Sequence, residues 1–297
     1  MEEKKIIGVT FLSLTVIMWG VSFVSIQIAM KALPPLNLAF YRLLIAIVML
    51  FVMMKRMTPA RKMQKKHIPR FALSGIVGIT LYFYFENSAL VEISANTASI
   101  IVAFLPVSSM VGEAIFLKKK IRPLEVIGIV ASIVGVYMVI GANLGEGGSA
   151  KGYIFMLVAV LCYSIFQLAS KPLFDDYSDL EVGFYQTLFA LLAFLPVLHT
   201  EVVRWENWDF SVASHFVFLA VCCSGLATYF YMYSLNHLGI TISSVFLNLM
   251  PVVTFITSFL FFGEKLTLIQ SLGSIIVILS VSVITVKSKV ETHEIKS

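Results

Sequence analysis

Two charged side chains stand inside otherwise apolar runs, Arg42 in FYRLLIAIVML and Glu86 in YFYFENSAL. Charge in a hydrocarbon setting is costly and turns towards a partner or a watery cavity. Two readings stay open. The pair forms a structural ion pair between neighbouring helices, with Arg42 also able to snorkel outward. Otherwise Glu86 is a proton-coupling or cation-binding carboxylate. A second constellation surrounds Pro106 and Pro251, each of which removes a backbone donor and frees the carbonyl four residues earlier, at Val102 and Leu247. A freed carbonyl must face protein or a water-filled cavity, so both prolines are candidate hinges. Polar or small residues at i, i+3 and i+7 precede each proline: Asn96, Ser99 and Ala103, then Thr241, Ser244 and Asn248. Such stripes either line a cavity or let helices pack closely. Aromatic and polar groups share a helix face at Trp19 with Ser22, Tyr84 with Ser88, Tyr163 with Gln167, and Tyr229 with Tyr233. An aromatic wall carrying hydroxyls and amides suits an amphipathic solute, such as an amino acid or an organic cation.

The elements that carry these residues follow from composition. Of 297 residues, 59% are hydrophobic and 13% charged, which is too little charge for a water-facing surface of this size. Mean hydropathy is +0.91. A membrane helix needs about 20 apolar residues, and reading runs between charge and turn clusters gives ten spans. They lie at about 7–29, 36–54, 70–90, 94–117, 123–141, 152–170, 181–199, 213–235, 240–262 and 267–286. Lys4 and Lys5 ahead of the first run suit an uncleaved first span. With the N-terminus inside, seventeen Lys and Arg fall on the cytoplasmic side and four outside, which puts both termini in the cytoplasm. The basic loop at 55–70 is then a retention signal touching lipid headgroups, and nucleic acid is not a partner. Cys162, Cys222 and Cys223 lie in apolar runs without metal or disulfide spacing.

Sliding the chain by 145 residues lays 82–140 on 227–285 without a gap, with eleven identities that include Pro106/Pro251 and Ser99/Ser244. At a shift of 144, Phe40-Tyr41 falls on Phe184-Tyr185. Five spans per half is an odd number, so the second half enters the membrane from the opposite side. That is an inverted repeat, the architecture of alternating access. The expected organisation is a first repeat at 1–141, an extracellular linker at 142–151, a second repeat at 152–286 and a cytoplasmic tail at 287–297.

The chain resembles the drug/metabolite transporter superfamily, in its EamA-type branch. The residues that carry the resemblance are Trp19-Gly20 with Phe23, Phe40-Tyr41-Arg42, the Glu86-Asn87-x-Ala89-Leu90 run, Pro106 and Pro251, and Gly263-Glu264-Lys265. It covers essentially the whole chain and implies ten helices in two five-helix repeats and a secondary carrier, often an exporter, of small metabolites or amino acids. Lys118-Lys119-Lys120 stands where the second half has Gly263-Glu264-Lys265, so the two gates need not behave alike.

The fold expected is an all-α integral membrane protein of the cell membrane, needing no cofactor and acting on a small organic solute, with protons a candidate coupling ion. A solute-binding receptor without net transport is the alternative. No phosphate loop, zinc-spaced Cys/His cluster or nucleophile elbow occurs, and all four aspartates lie in loops, so an ATP-driven pump or an intramembrane enzyme fits poorly.

Overall fold

The computed structural model describes residues 2–58, 63–116, 118, 123–144 and 149–279. In chain order the helices are α1 (Glu2–Ala29) and α2 (Pro35–Met57), then α3 (Lys65–Glu92), α4 (Ala95–Phe116) and α5 (Pro123–Leu144). There follow α6 (Ala150–Asp175), α7 (Asp179–Thr200), α8 (Phe210–Leu238), α9 (Ile240–Phe262) and α10 (Leu268–Leu279). Eight of these are long and apolar enough to cross a membrane, and α5 and α10 carry shorter apolar stretches. The described residues contain no strand. Of the expected sequence features, residues 280–286 of the last span, the 287–297 tail, 119–122 of the basic cluster and 145–148 of the linker lie outside the described residues.

Local chemistry sets the ends. Ser178 and Glu181 form a reciprocal capping box that starts α7. Ser94 accepts from Thr97 N at the start of α4, and Asp209 accepts from Val212 N at the start of α8. Pro34-Pro35 opens α2, whose free N–H groups at Leu36 and Asn37 donate to the Glu201 carboxylate at 2.8 and 3.2 Å. Gly239 (φ 84°) turns the chain between α8 and α9, and Gly263 (φ 67°) ends α9 in the left-handed conformation.

Two irregularities recur in both halves. α4 breaks between Val102 and Leu105, and α9 breaks between Leu247 and Met250. A shift of 145 residues carries Ala95–Val102 onto Ile240–Leu247 and the start of Leu105–Phe116 onto that of Met250–Phe262. α3 widens into a π-helical stretch at Ile76–Leu81, and α8 does so at Phe218–Leu226, which contains the equivalent positions. The prolines signalled the breaks. The π stretches carried no sequence signal.

The halves interlock. α1 packs on α8 and α9, α2 on α7 and α8, and α3 on α6 and α7. Close approach depends on missing side chains: a Cβ on Gly78 would stand 2.3 Å from Phe166 Cβ. Ile127, Phe259, Leu260 and many other large apolar side chains stay exposed on the outside, as a lipid-facing surface requires.

Candidate functional site

Where the two halves meet, the helices leave a cavity with about 820 Å³ of space not filled by atoms, its open mouth included. Arg42 and Glu86 both line it. The Arg42 guanidinium lies over the Phe83 ring at 4.5 Å, and its Nε donates to Ser224 Oγ at 2.8 Å. Its Nη1 is buried with no hydrogen-bond partner in the protein. Glu86 Oε1 accepts from the Tyr82 hydroxyl, one turn earlier, at 2.6 Å. Among the described residues no direct ion pair joins Arg42 to Glu86, so the expected pair across the helix interface is not formed. Each side chain instead lines the shared cavity and takes a neutral partner, Ser224 for Arg42 and Tyr82 for Glu86.

The remaining wall is aromatic. Trp19 packs edge-on against Tyr163 at 6.0 Å and tilts against Tyr231 at 5.0 Å. Trp19 Nε1 donates to Cys223 O at 3.0 Å, inside the π stretch of α8. A π turn leaves the ordinary carbonyl pairing out of register, and here the same stretch supplies the Ser224 hydroxyl that Arg42 uses. Tyr231 and Tyr163 both face the cavity.

The wall has the repeat written into it. At a shift of 144, Trp19, Ser22 and Leu43 correspond to Tyr163, Phe166 and Thr187. At 145, Gly78, Phe83, Glu86, Val102 and Leu105 correspond to Cys223, Thr228, Tyr231, Leu247 and Met250. Both members of all eight pairs line the cavity. Arg42 breaks the pattern, because its counterpart Gln186 turns away and donates to Ser74 and Ser170 at 3.0 and 2.7 Å.

Several expected residues sit elsewhere. Trp19, Ser22, Tyr163, Arg42 and Glu86 line the cavity, as do Val102 and Leu247, four residues before Pro106 and Pro251. Gln167 stands one layer back, fully buried; it accepts from Ser109 and donates to the Tyr231 hydroxyl and, at 2.9 Å, to Ser244 Oγ. Tyr84 and Ser88 are not in the wall, and Tyr84 packs on Phe85 and Phe155. On α3 the cavity face is the one Glu86 occupies, which also carries Tyr82 and Phe83. The Tyr82/Glu86 spacing of four was the available sign. Tyr229 and Tyr233 likewise turn outward onto Phe11, and Tyr233 stacks on His237 at 4.2 Å, leaving Tyr231 inside.

The proline stripes also miss the wall. Ser99 is buried and bonds back to Asn96 O at 2.8 Å. Asn248 is buried at the α9 break, where neither side-chain polar atom has a protein partner. Asn96, beginning α4, donates to Glu264 Oε2 at 2.9 Å, and Ser258 donates to the same oxygen at 2.6 Å. Thr241, in the equivalent place on α9, donates to Glu113 Oε2 at 3.4 Å. Each broken helix thus begins with a donor to a carboxylate at the far end of the other.

Apolar helices enclosing one charged, aromatic cavity define a polytopic membrane transporter rather than an enzyme. The EamA-like transporter family matches residues 6–141 and again 150–286, and the chain belongs to that family. An uncharacterized transporter of Archaeoglobus fulgidus is 25% identical over 276 residues, covering 93% of this chain and 98% of its own. A probable terminal-alkyne amino-acid exporter of Streptantibioticus cattleyicolor is 26% identical over 253 residues, 85% of this chain and 84% of its own. A solved crystal structure shares the fold with a TM-score of 0.73 over 97% of this chain and 98% of its own, at 18% identity.

Proposed function

We propose that the protein is a secondary active exporter of a small amphipathic solute of the amino-acid type, working by alternating access in the cell membrane. The observation that carries this is Arg42 and Glu86 in one aromatic-walled cavity: a cation with a buried unpaired nitrogen and a carboxylate complement the two charges of a zwitterion. The exporter named among its relatives agrees in substrate class and direction. Ten spans in two inverted five-helix repeats are the architecture we assign, supported by the recurrence of helix breaks and π stretches near a shift of 145. Seventeen basic residues against four orient both termini to the cytoplasm. Glu264 with Asn96 and Ser258 then closes the outer side, and Glu113 with Thr241 the inner side, each hairpin pivoting at its proline. Protons are the coupling ion, with Glu86 the group that carries them.

Counterflow tests the reading. Proteoliposomes preloaded with unlabelled L-leucine, L-phenylalanine or L-alanine should accumulate the labelled amino acid, and an imposed proton gradient should drive net movement. Binding without trans-stimulated exchange would make the protein a receptor. No response to any amino acid would remove the proposed substrate class.

A further inference from the structure

The repeat-related positions of the wall differ in one systematic way: every charge lies in the first half. Glu86 corresponds to the uncharged Tyr231 in the second half, and the Arg42 counterpart, Gln186, is withdrawn to Ser74 and Ser170. Ser22 in the first half corresponds to the large ring of Phe166 in the second. Met232 and Met250 add apolar surface to the second half's share of the wall.

We infer that the cavity is polarised: the solute's charged head stays on Arg42 and Glu86 in every conformation, and Phe166 limits the size of its apolar tail. This rests on the amino-acid reading above and adds the binding pose and the residue that selects among side chains. Inverted repeats exchange shapes during transport, but they cannot exchange side chains. A head group released by the first half would meet no charge on the second. Phe166 is a firm boundary because Gly78 lets α3 press against it, leaving its ring little room to retreat. Apolar pockets discriminate by size, at about tenfold or more per methylene group.

The test separates head from tail. Affinities of the purified protein would be measured by thermal shift for L-alanine, L-leucine, L-phenylalanine and L-tryptophan, and for leucinamide, which lacks the carboxylate. Phe166→Leu, and Phe166→Ala as a deeper cut, should raise affinity for tryptophan relative to alanine about tenfold and leave the leucine-to-leucinamide ratio unchanged. Arg42→Gln should do the opposite, collapsing the leucine-to-leucinamide ratio and preserving the side-chain order. If Phe166 variants alter head-group discrimination, or leave the side-chain order unmoved while wild type responds, the polarised pose is wrong. If wild type responds to no probe, the amino-acid reading fails and takes this inference with it.

Discussion

Removing the Glu264 carboxylate should open one side of the cavity selectively. Its Oε2 accepts from Asn96 at 2.9 Å and from Ser258 at 2.6 Å, tying the start of α4 to the end of α9. A hydrogen bond to a charged group contributes about 1.5–3 kcal/mol net. Glu264 is half-buried, so solvent screening holds each bond to the low end of that range or below. A bias of about 2 kcal/mol towards the closed state results, equivalent to roughly 30-fold in population. Cys223 lines the cavity and serves as the reporter once Cys162 and Cys222 are replaced by alanine. In Glu264→Ala, a membrane-impermeant thiol reagent added on the Glu264 side should modify Cys223 at least about tenfold faster, with little change from the opposite side. Glu264→Gln, which keeps an acceptor oxygen, should fall in between. An unchanged rate, or an equal rise from both sides, would refute the latch.

Glu86→Gln should fold normally, since the Tyr82 hydroxyl can still donate to the amide oxygen; it should lose pH-driven net movement and keep exchange only at lower affinity, because the solute's ammonium loses its counter-charge. Retention of pH dependence in that variant excludes Glu86 as the coupling group. Gly78→Ala places a methyl 2.3 Å from Phe166 Cβ and should cost about 1–3 kcal/mol, read as a lower melting temperature. Gly183→Ala, whose added Cβ meets neighbours at 3.6 and 3.7 Å, is the tolerated control. Cysteines at Ser149 and Lys66 should be labelled from opposite faces, and labelling of both from one face would remove the inverted arrangement.

Much of the scaffold was legible because lipid simplifies the chain. Apolar runs and charge clusters predicted the eight helices long enough to cross a membrane, and Pro106 and Pro251 predicted the breaks, since proline acts through covalent structure alone. Arg42 and Glu86 were legible for the same reason: charge inside an apolar run has few places to go. The face of each helix was harder. Tyr84 with Ser88, matched by Tyr229 with Tyr233, reads as the consistent polar face, but polarity alone does not say which face meets the cavity: on the regular helix Tyr82–Glu92 it is the face of Tyr82 and Glu86, and Tyr84 packs on Phe155. The stripes at Asn96 and Thr241 were polar for another purpose, as donors to Glu264 and Glu113 at the helix ends. Ser224 could not be read as the Arg42 partner, because it lies 182 residues away and is presented by the second π stretch.

The features that the duplication kept and those it lost have a common physical cause. The two halves share eleven identities over 59 aligned positions, yet their helix breaks coincide and sixteen wall positions fall into eight pairs. Under the alternating-access mechanism proposed above, geometry has to be duplicated, because each half must adopt the conformation the other leaves. Charge did not. A charged residue at the centre of a membrane helix costs about 2.5–3.5 kcal/mol, and a symmetric wall would hold a second arginine and a second carboxylate. It would also offer the solute a second, inverted seat, with the head of one pose competing for the tail site of the other. With Tyr231 held by Gln167 and Gln186 turned into the helix interface, the second half contributes shape and hydrogen bonding without charge. In the proposed mechanism one charged seat would then serve both orientations of the protein, and alternating access would ask only that the walls around it move.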